Sequence, residues 1–478
     1  MIPVHVFRGR RVALFGLGRS GFSAGRALMA GGAIVHAWDD GEEARDRAEN
    51  EGLTLDDLYE ADWSQFSALV LSPGIPLTHP EPHALVLKAR AHNVEIIGDI
   101  ELFCRELDHL DMPGGKSMVI SVTGTNGKST TTALITHVLN SCGYRAMSGG
   151  NIGQAILDLP PPTHRSVYVI EVSSYQIDLT PSLAPDVAVL LNITPDHLDR
   201  HGGFDNYIST KMKIFQAQSA DNISVIGVDD PQTQEICTRI SSQQMKQVIP
   251  VSVGNALGRG VYVINGVLYD GVVRPTKRVV DLKEASGLPG VHNWQNAAIA
   301  FAAIRGLLKD HHKLADAILS FPGLAHRMEE VGRMGSLRFI NDSKATNGEA
   351  AARALAAYEN IFWIAGGKSK EGGIEALKPL FSHVLKAYLI GEAADDFATC
   401  LDGAVKYDKM GDLKNALAQA MKDASACTYD NPIVLLSPAC ASFDQFKDFE
   451  ERGDTFRTLV QEVTAQHVCE TELGETVS

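Results

Sequence analysis

The sequence predicts an α/β protein built of three domains. Short apolar runs alternate with helical patterns along the chain, which is typical of parallel βαβ units. Two joints rich in Pro and Gly, at 108–116 and 321–324, divide these units into three series. The 478 residues also exceed what one hydrophobic core usually holds. We therefore expect domains at 1–112, 113–322 and 323–478.

The expected strands of the three series are apolar runs that precede helical patterns. They lie at 11–16, 33–39, 68–74 and 94–98, at 117–124, 166–172, 186–194 and 222–228, and at 336–342, 360–367, 384–391 and 432–438. Within the second series, Asn265-Gly266 separates two apolar runs at 261–269, which is typical of a type I′ hairpin. Helices are expected near 292–309 and 313–320.

The composition narrows the classes of function. The chain is 45% hydrophobic and 21% charged with 43 glycines, as in ordinary α/β enzymes. Its net charge of −15 argues against a nucleic-acid or anionic-membrane partner. Seven scattered cysteines without a CxxC pair indicate reduced thiols and argue against a zinc site. With no signal peptide and no apolar run near the ~20 residues of a membrane span, we expect a cytoplasmic protein.

The strongest local motif is a glycine-containing loop, SVTGTNGKST at 121–130, between an apolar strand and the helical pattern TTALITHVL. Gly124 and Gly127 would let backbone N–H groups surround a phosphate at a helix N-terminus. Lys128 would reach the β- and γ-phosphates, and Ser129 would lie near Mg²⁺. Val122 stands where a strict Walker A loop has its first glycine. The alternative is a tight strand–helix turn without a ligand.

Two further residues suggest a metal site beside this loop. Glu171 ends an apolar strand, where a carboxylate can reach a metal, although such a glutamate is often simply solvated. His197 follows the next strand and is either structural or a metal ligand. Lys211 lies in a helical pattern at 206–216, which by itself indicates a surface lysine.

Three residues further along the chain suit nucleotide binding. Asn293 and Asn296 share one face of an expected helix and either bind a ligand or bridge loops. Arg327 lies at the second joint, where an arginine can stabilise a transferring phosphoryl group. A buried ion pair is its alternative.

The first domain carries GLGRSG at 16–21 after a strand and before a helix, with Asp39 at the end of the next strand. This is the fingerprint of dinucleotide-binding folds and, alone, would indicate an NAD-dependent dehydrogenase. The same geometry suits any pyrophosphate-bearing nucleotide. In the third domain, Lys344, Thr346, Lys370 and Ser442 form a set of possible carboxylate binders.

The motif TGTNGKST resembles the ATP loop of the Mur ligases and folylpolyglutamate synthetases. The resemblance continues, in the order of the family, over essentially the whole chain: GGNIG (149–153), EVSSYQ (171–176), NITPDHLDRHG (192–202), STKMKIF (209–215), HNWQNAA (292–298), HRME (326–329), NDSKATN (341–347) and LLSPACASFDQFKDFEERG (435–453). It implies an N-terminal Rossmann-like UDP-binding domain, a central P-loop ATPase-like domain with a mostly parallel sheet, and a C-terminal Rossmann-like domain. It also implies an ATP-dependent ligase that joins a carboxylate to an amine through an acyl phosphate.

The resemblance assigns ATP, two Mg²⁺ ions and a carbamate formed from CO₂ on Lys211. A carbamate requires the neutral amine, so burial or nearby cations must lower a lysine pKa that is normally near ~10.4. The implied catalytic residues are Lys128, Glu171, His197, Lys211, Arg327 and Lys344. The implied metal ligands are Ser129, Glu171, His197 and carboxylated Lys211. The implied ATP contacts are Gly124, Thr125, Asn126, Gly127, Lys128, Ser129, Thr130, Asn293, Asn296, Arg327 and Asp342.

The motifs SPGI (72–75) and GDIELF (98–103) resemble those of the D-glutamate-adding Mur ligases. This implies UDP-N-acetylmuramoyl-L-alanine and D-glutamate as substrates and a monomeric enzyme. The implied contacts are Arg19, Ser20, Asp39, Asp40 and Ser72 for UDP, Asn151 and His197 for the muramoyl part, and Thr346, Lys370, Ser442 and Phe449 for D-glutamate, with Lys344 close by. Asp40 stands where the family often has Thr, and Lys368 is the alternative to Lys370. An L-alanine-adding ligase and a folylpolyglutamate synthetase are the alternatives, although the Rossmann-like first domain argues against the latter.

Overall fold

The computed structural model describes residues 1–112, 114–242, 247–308, 310–369 and 373–475, with side chains through residue 465. The chain forms two compact units, Met1–Phe321 and Pro322–Ser478. Three sheets of four, nine and six strands, mostly parallel and interspersed with helices, confirm the predicted α/β class. The domain limits 1–112, 113–322 and 323–478 stay a prediction.

The first sheet has four parallel strands in the order β2-β1-β3-β4. The elements of this part are β1 (Arg11–Phe15), α1 (Arg19–Gly31), β2 (Ile34–Trp38), α2 (Glu42–Asn50), β3 (Ala68–Leu71), α3 (Ala84–Ala91), β4 (Glu95–Ile97) and α4 (Asp99–His109). Strand β3 is buried along its length because helices cover both faces of a parallel sheet. The four strands lie within the four predicted runs.

The second sheet has nine strands in the order β13-β12-β11-β10-β9-β8-β5-β7-β6. Its elements are β5 (Met118–Thr123), α5 (Lys128–Ser141), β6 (Arg145–Gly150), β7 (Ser166–Glu171), α6 (Ser174–Asp178), β8 (Val187–Leu190), α7 (Leu198–His201), α8 (Phe204–Met212), β9 (Ile223–Gly227), α9 (Pro231–Ser242), β10 (Gln247–Val253), β11 (Val261–Ile264), β12 (Val267–Asp270), β13 (Lys277–Asp281), α10 (Val291–Ile304) and α11 (His311–Leu319). The predicted hairpin is confirmed, since β11 and β12 are antiparallel and both turn residues have positive φ. Strand β5 lies between β8 and β7, so the loops after these three strands meet at one edge of the sheet.

The third sheet lies in the second compact unit and has the order β14-β15-β19-β16-β17-β18. Its elements are β14 (Glu329–Met334), β15 (Leu337–Asn341), α12 (Gly348–Ala357), β16 (Ile361–Gly366), β17 (Val384–Ile390), α13 (Ala394–Leu401), β18 (Tyr407–Gly411), α14 (Leu413–Ser425), β19 (Ile433–Leu436) and α15 (Phe449–Glu475). Only the β14–β15 pair is antiparallel. Strand β19 lies between β15 and β16, which brings the loops after these three strands together.

Reduced thiols and the absence of a membrane span were both expected from the sequence. Six cysteines have free thiols in the part of the chain whose side chains are described. Among the described helices, none combines the length and the apolar character that a bilayer span requires.

Candidate active site

The predicted phosphate loop connects β5 to α5 at the meeting edge of the second sheet. Gly124 has φ +153° and Gly127 has φ +84°, which turns the chain into the first turn of α5. Among the described residues, no side chain caps this helix, so its first N–H groups can bind a ligand. Lys128 Nζ donates to the carbonyl oxygens of Thr125 and Gly124, at 2.9 and 3.1 Å. The loop thus carries the geometry of an anion site.

The segment after β8 is hydrogen-bonded to the phosphate loop. The N–H of Thr125 donates to Asn192 O at 3.0 Å, and the N–H of Asn126 donates to Asn192 Oδ1 at 2.9 Å. The N–H of Thr194 donates to Thr125 Oγ1 at 3.0 Å. Asn192 therefore fixes the conformation of the phosphate loop. No role was predicted for this residue from the sequence.

The predicted asparagine pair packs against the same loop. Asn296 Nδ2 donates to Asn293 Oδ1 at 3.1 Å, which confirms that the two side chains share a face of α10. Thr131 Oγ1 of α5 donates to Asn296 Oδ1 at 3.3 Å. The pair thus lies beside the N-terminal turn of α5, where a bound nucleotide would be.

Replacement of Gly127 with alanine is expected to weaken ATP binding. The new Cβ would lie 2.3 Å from Asn296 Oδ1, on a backbone with positive φ. We expect the KM for ATP to rise about tenfold, since the amide must leave the loop. Gly143→Ala is the matched control, because it has φ +89° and meets nothing within 4 Å among the described residues. Equal KM values for ATP in the two variants would contradict this steric account.

Glu171 ends β7 beside β5, with Val122 as its register partner. Its side chain is 2% exposed, which excludes the solvated alternative. Oε1 accepts a hydrogen bond from Asn151 Nδ2 at 2.7 Å. Oε2 is buried and has no hydrogen-bond partner among the described residues. A buried carboxylate oxygen with unused lone pairs suits a cation ligand.

Lys211 is buried at the end of α8, with 1% of its surface exposed, so the surface-lysine alternative is wrong. Its Nζ donates to Gly124 O at 3.0 Å and to Thr123 Oγ1 at 3.3 Å. Because of burial, and secondarily because of the Lys128 cation nearby, the pKa of the amine falls to about 7. The carboxylates of Asp196 and Glu171 act in the opposite direction. The condition for a carbamate, a neutral amine near physiological pH, is therefore met.

His197 follows β8 and directly precedes α7, with φ +51°. Its side chain is 52% exposed, and Nε2 lies 3.5 Å from Asp196 Oδ2. The ring packs against Tyr175 with centroids 5.2 Å apart. An exposed imidazole at the same sheet edge as Glu171 is available to a ligand or a metal.

Tyr207 is a second residue that the sequence analysis missed. Its hydroxyl lies 3.1 Å from Thr125 Oγ1, and its ring faces Lys211 Nζ at 4.7 Å from the centroid. Burial raises the pKa of this phenol to about 12, so it stays protonated. The spacing of four residues between Tyr207 and Lys211 on a helix could have indicated this pairing.

Two of the predicted Mg²⁺ ligands lie where a metal bound beside the phosphate loop would need them. The unpartnered Glu171 oxygen and the buried Lys211 amine both flank the phosphate loop. Within the described part of the chain, no group of three or more His, Cys, Asp or Glu side chains is arranged to hold a metal alone. The proposed set therefore depends on phosphate oxygens and on a modified lysine.

The predicted UDP contacts gather at one edge of the first sheet. Arg19 and Ser20 begin α1, and Asp39 follows β2. The Asp39 carboxylate accepts hydrogen bonds from the N–H of Leu17 at 2.6 Å and of Gly41 at 2.8 Å. Asp39 thus shapes the glycine loop from the neighbouring strand.

The other two UDP candidates also contact protein groups. Asp40 Oδ1 accepts a hydrogen bond from the Tyr59 hydroxyl at 3.0 Å, and Asp40 Oδ2 lies 3.8 Å from His83 Nε2. Ser72 Oγ donates to Gly16 O at 2.6 Å. Ser72 therefore contacts the glycine loop directly, whereas Asp40 contacts Tyr59 and His83.

In the second unit, Asp342 shapes the turn that presents Arg327. Asp342 Oδ1 accepts from the N–H of Met328 at 3.2 Å, and Oδ2 accepts from Ser437 Oγ at 2.8 Å. His326 and Met328, on either side of Arg327, both have positive φ. Burial raises the pKa of the Asp342 carboxyl to about 7, while Ser437 and Arg327 oppose the shift.

Four of the five acceptor-site candidates lie in the described part of the second unit. Lys344 Nζ lies 5.5 Å from the centroid of the Phe449 ring, and the N–H of Thr346 donates to Lys344 O. Ser442 is buried in the loop after β19. Lys370 lies outside the described residues.

Comparison with known proteins agrees with this geometry. Residues 122–304 match the model of the Mur ligase middle domain. UDP-N-acetylmuramoylalanine–D-glutamate ligase of Caulobacter sp. (strain K31) is 53% identical over 96% of this chain and 98% of its own. The enzyme of the same name from Brucella abortus (strain 2308) is 49% identical over 96% and 97%.

Solved structures with the same fold are more distant in sequence. UDP-N-acetylmuramate-alanine ligase of Thermotoga maritima aligns with a TM-score of 0.57 at 15% identity, over 95% of this chain and 99% of its own. A UDP-N-acetylmuramoyl-L-alanyl-D-glutamate–2,6-diaminopimelate ligase aligns with a TM-score of 0.56 at 17% identity, over 97% and 93%. These two similarities concern the fold.

The phosphate loop of the second sheet, flanked by a buried carboxylate and a buried lysine, is the arrangement expected of an ATP-dependent ligase. This agrees with the resemblance seen in the sequence and excludes the dehydrogenase alternative. With about half of its residues identical to these relatives over nearly the full length of both, the chain belongs to the Mur ligase family.

Proposed function

We infer that this protein adds D-glutamate to UDP-N-acetylmuramoyl-L-alanine, with conversion of ATP to ADP and phosphate, in the synthesis of peptidoglycan precursors. The near full-length similarity to enzymes of that name is the observation that carries this conclusion. The phosphate loop, with Lys128 and the Asn293–Asn296 pair beside it, is consistent with the use of ATP.

We propose that the ATP polyphosphate lies on the loop at 124–130, against the first N–H groups of α5. Lys128 would give up its hydrogen bonds to the Gly124 and Thr125 carbonyl oxygens and bind the β- and γ-phosphates instead. The phosphates would attract the ammonium more strongly, because they carry full negative charges and the carbonyl groups are only dipoles. Asn293 and Asn296 would contact the nucleotide beside this turn. Arg327 would neutralise charge on the transferring phosphoryl group, with Asp342 fixing its backbone.

We further propose that Lys211 is carboxylated and that Ser129, Glu171, His197 and the carbamate hold two Mg²⁺ ions. The neutral Lys211 amine attacks CO₂, an N–C bond forms, and one proton leaves to solvent. This places an anion where the protonated amine would be repelled by the Lys128 cation. Bound Mg²⁺ would neutralise phosphate charge during the transfer.

The proposed reaction has two steps. An oxygen of the L-alanine carboxylate attacks the γ-phosphorus, and the bond to ADP breaks, which gives an acyl phosphate. The D-glutamate amine then attacks the acyl carbon, a C–N bond forms, the C–O bond to phosphate breaks, and the amine loses a proton. The protein contributes chiefly by orientation and by neutralisation of charge.

The substrate contacts are proposals that rest on the resemblance and on placement. Arg19, Ser20, Asp39, Asp40 and Ser72 would bind UDP at the edge of the first sheet, and Asn151 and His197 would bind the muramoyl part. Thr346, Ser442, Phe449 and Lys370 would bind D-glutamate, with Lys344 nearby. We also propose that the enzyme acts as a monomer in the cytoplasm.

The experiment that tests this function is phosphate release from Mg-ATP by the purified protein. We expect release only when UDP-N-acetylmuramoyl-L-alanine and D-glutamate are both present. Omission of either substrate is the internal control. Release with UDP-N-acetylmuramate and L-alanine, or with a folate and glutamate, would move the assignment to another ligase, and hydride transfer to NAD would overturn the class.

A further inference from the structure

Arg452 is a fully buried cation in α15, with 1% of its surface exposed. Its guanidinium reaches the loops that follow two neighbouring strands, β15 and β19. Nε donates to Ser343 Oγ at 3.0 Å, and Nη2 donates to Ser343 O at 2.9 Å. Nη2 also donates to Cys440 O at 3.1 Å. One side chain thus joins two segments that are 97 positions apart in the chain, Ser343 and Cys440.

The loop after β16 packs against the same guanidinium. A Cβ placed on Gly367 would lie 3.2 Å from Arg452 Nη1. This loop is paired with the β19 loop through two backbone hydrogen bonds, between Lys368 and Ala441, at 2.9 and 3.0 Å. Arg452 therefore lies where three loops converge.

These three loops carry the candidate ligands for D-glutamate. Lys344 and Thr346 directly follow Ser343, and Ser442 is two residues after Cys440. Ser343 Oγ also donates to Phe449 O at 2.8 Å, which connects the fourth candidate to the same centre. The guanidinium donates to the backbone carbonyls of Ser343 and Cys440, which are close in sequence to these candidate ligands.

The surroundings of Arg452 differ from those expected of a residue that only stabilises the fold. Within the described part of the chain, no carboxylate lies within ion-pair distance of Arg452, the charge of Asp444 acts on it from further away, and Nη1 has no hydrogen-bond partner. A buried charge without a counterion is costly to keep in a fold. A planar guanidinium donates to several acceptors in fixed directions within one plane, a rigid geometry that the rotating ammonium of a lysine does not have.

We propose that Arg452 is the positioning residue of the acceptor site: it holds the loops after β15, β16 and β19 in the arrangement that binds the carboxylates of D-glutamate. This inference rests on the proposed function, since it assumes that D-glutamate binds to these loops. Arg452 does not touch the substrate. It acts through the backbone of Ser343 and Cys440, and its buried positive charge favours a dicarboxylate in the site.

The test compares Arg452→Lys and Arg452→Gln with the unchanged enzyme. Arg452→Lys keeps the positive charge but loses the planar set of donors, and Arg452→Gln loses the positive charge. We expect the KM for D-glutamate to rise about tenfold or more in both, and the KM values for ATP and for the UDP substrate to change less than about threefold. Arg333→Lys is the matched control, because Arg333 is exposed and pairs only with Glu330 among the described residues.

A second variant keeps the test valid if both Arg452 variants fail to fold. Ser343→Ala removes the hydroxyl that accepts from Arg452 Nε and leaves the arginine in place. We expect a selective rise of about threefold in the KM for D-glutamate. A KM for D-glutamate that stays unchanged, or an equal rise for all three substrates, would overturn the inference. Absence of D-glutamate-dependent phosphate release in the unchanged enzyme would instead refute the proposed function.

Discussion

Lys128→Ala is expected to lower turnover by at least about 10²-fold, the usual effect of losing one electrostatic stabiliser of a charged transition state. The Lys128 amine already lies on the loop, within 3.1 Å of the Gly124 and Thr125 carbonyls. Its charge would be needed most when the γ-phosphoryl group carries its greatest charge, between ADP and the acceptor. We therefore expect the loss chiefly in kcat, measured as phosphate release at saturating substrates.

Lys116→Ala is the control for this prediction. Lys116 precedes β5, is largely exposed, and pairs with Asp108 at 2.6 Å, so its loss should leave turnover within about twofold of normal. Lys128→Arg keeps the charge on a longer, planar group and should recover only part of the activity. Near-normal turnover in Lys128→Ala would contradict the assignment of the phosphate loop.

Lys211→Arg is expected to be as inactive as Lys211→Ala, with a loss of about 10²-fold or more in turnover. Arginine keeps a cation in the pocket, but its guanidinium cannot form the carbamate. If the buried amine acted only as a cation, arginine would restore activity. Steady-state turnover of the two variants separates these cases.

The chemical state of Lys211 can be observed directly. We expect a carbamate signal in the ¹³C NMR spectrum of the unchanged enzyme supplied with ¹³C-bicarbonate, and none in Lys211→Arg. The lowered pKa of about 7 means that the amine is neutral above that pH and protonated below it. The carbamate should therefore persist above pH 7 and disappear as the pH falls below it.

Lys213→Arg supplies the control, since Lys213 lies two residues away, is 42% exposed, and pairs with Asp178. Full activity of Lys211→Arg, or a carbamate signal that survives in this variant, would contradict the proposed modification.

Continuous apolar runs such as β5, β7 and β16 were predicted correctly, because helices cover these strands on both faces and their pattern is unambiguous. Five strands were missed. Four of them, β6, β13, β14 and β18, lie at the edges of their sheets, and the fifth, β10, lies between β9 and β11 and has Pro250 within its apolar run. Edge strands tolerate polar residues and glycine, as in RAMSGG of β6 and KRVVD of β13, so the pattern is lost.

The candidate site shows a similar division. A phosphate loop is local in sequence, so Gly124–Lys128 could be recognised from spacing alone. Burial of Lys211 could not, because it depends on contact with Thr123 and Gly124, almost ninety positions away. Arg452 was missed for the same reason, since Ser343, to which it donates two hydrogen bonds, is 109 positions away in the chain.

The most direct test of the central claim, transfer of the γ-phosphoryl group of ATP to the L-alanine carboxylate, is the fate of a carboxylate oxygen. UDP-N-acetylmuramoyl-L-alanine labelled with ¹⁸O in that carboxylate is incubated with the enzyme, Mg-ATP and D-glutamate, and the released phosphate is analysed by mass spectrometry. We predict phosphate that carries one ¹⁸O atom for each amide formed. Release of unlabelled phosphate alongside amide formation would contradict an acyl phosphate, and with it the chemistry proposed for the loop at 124–130.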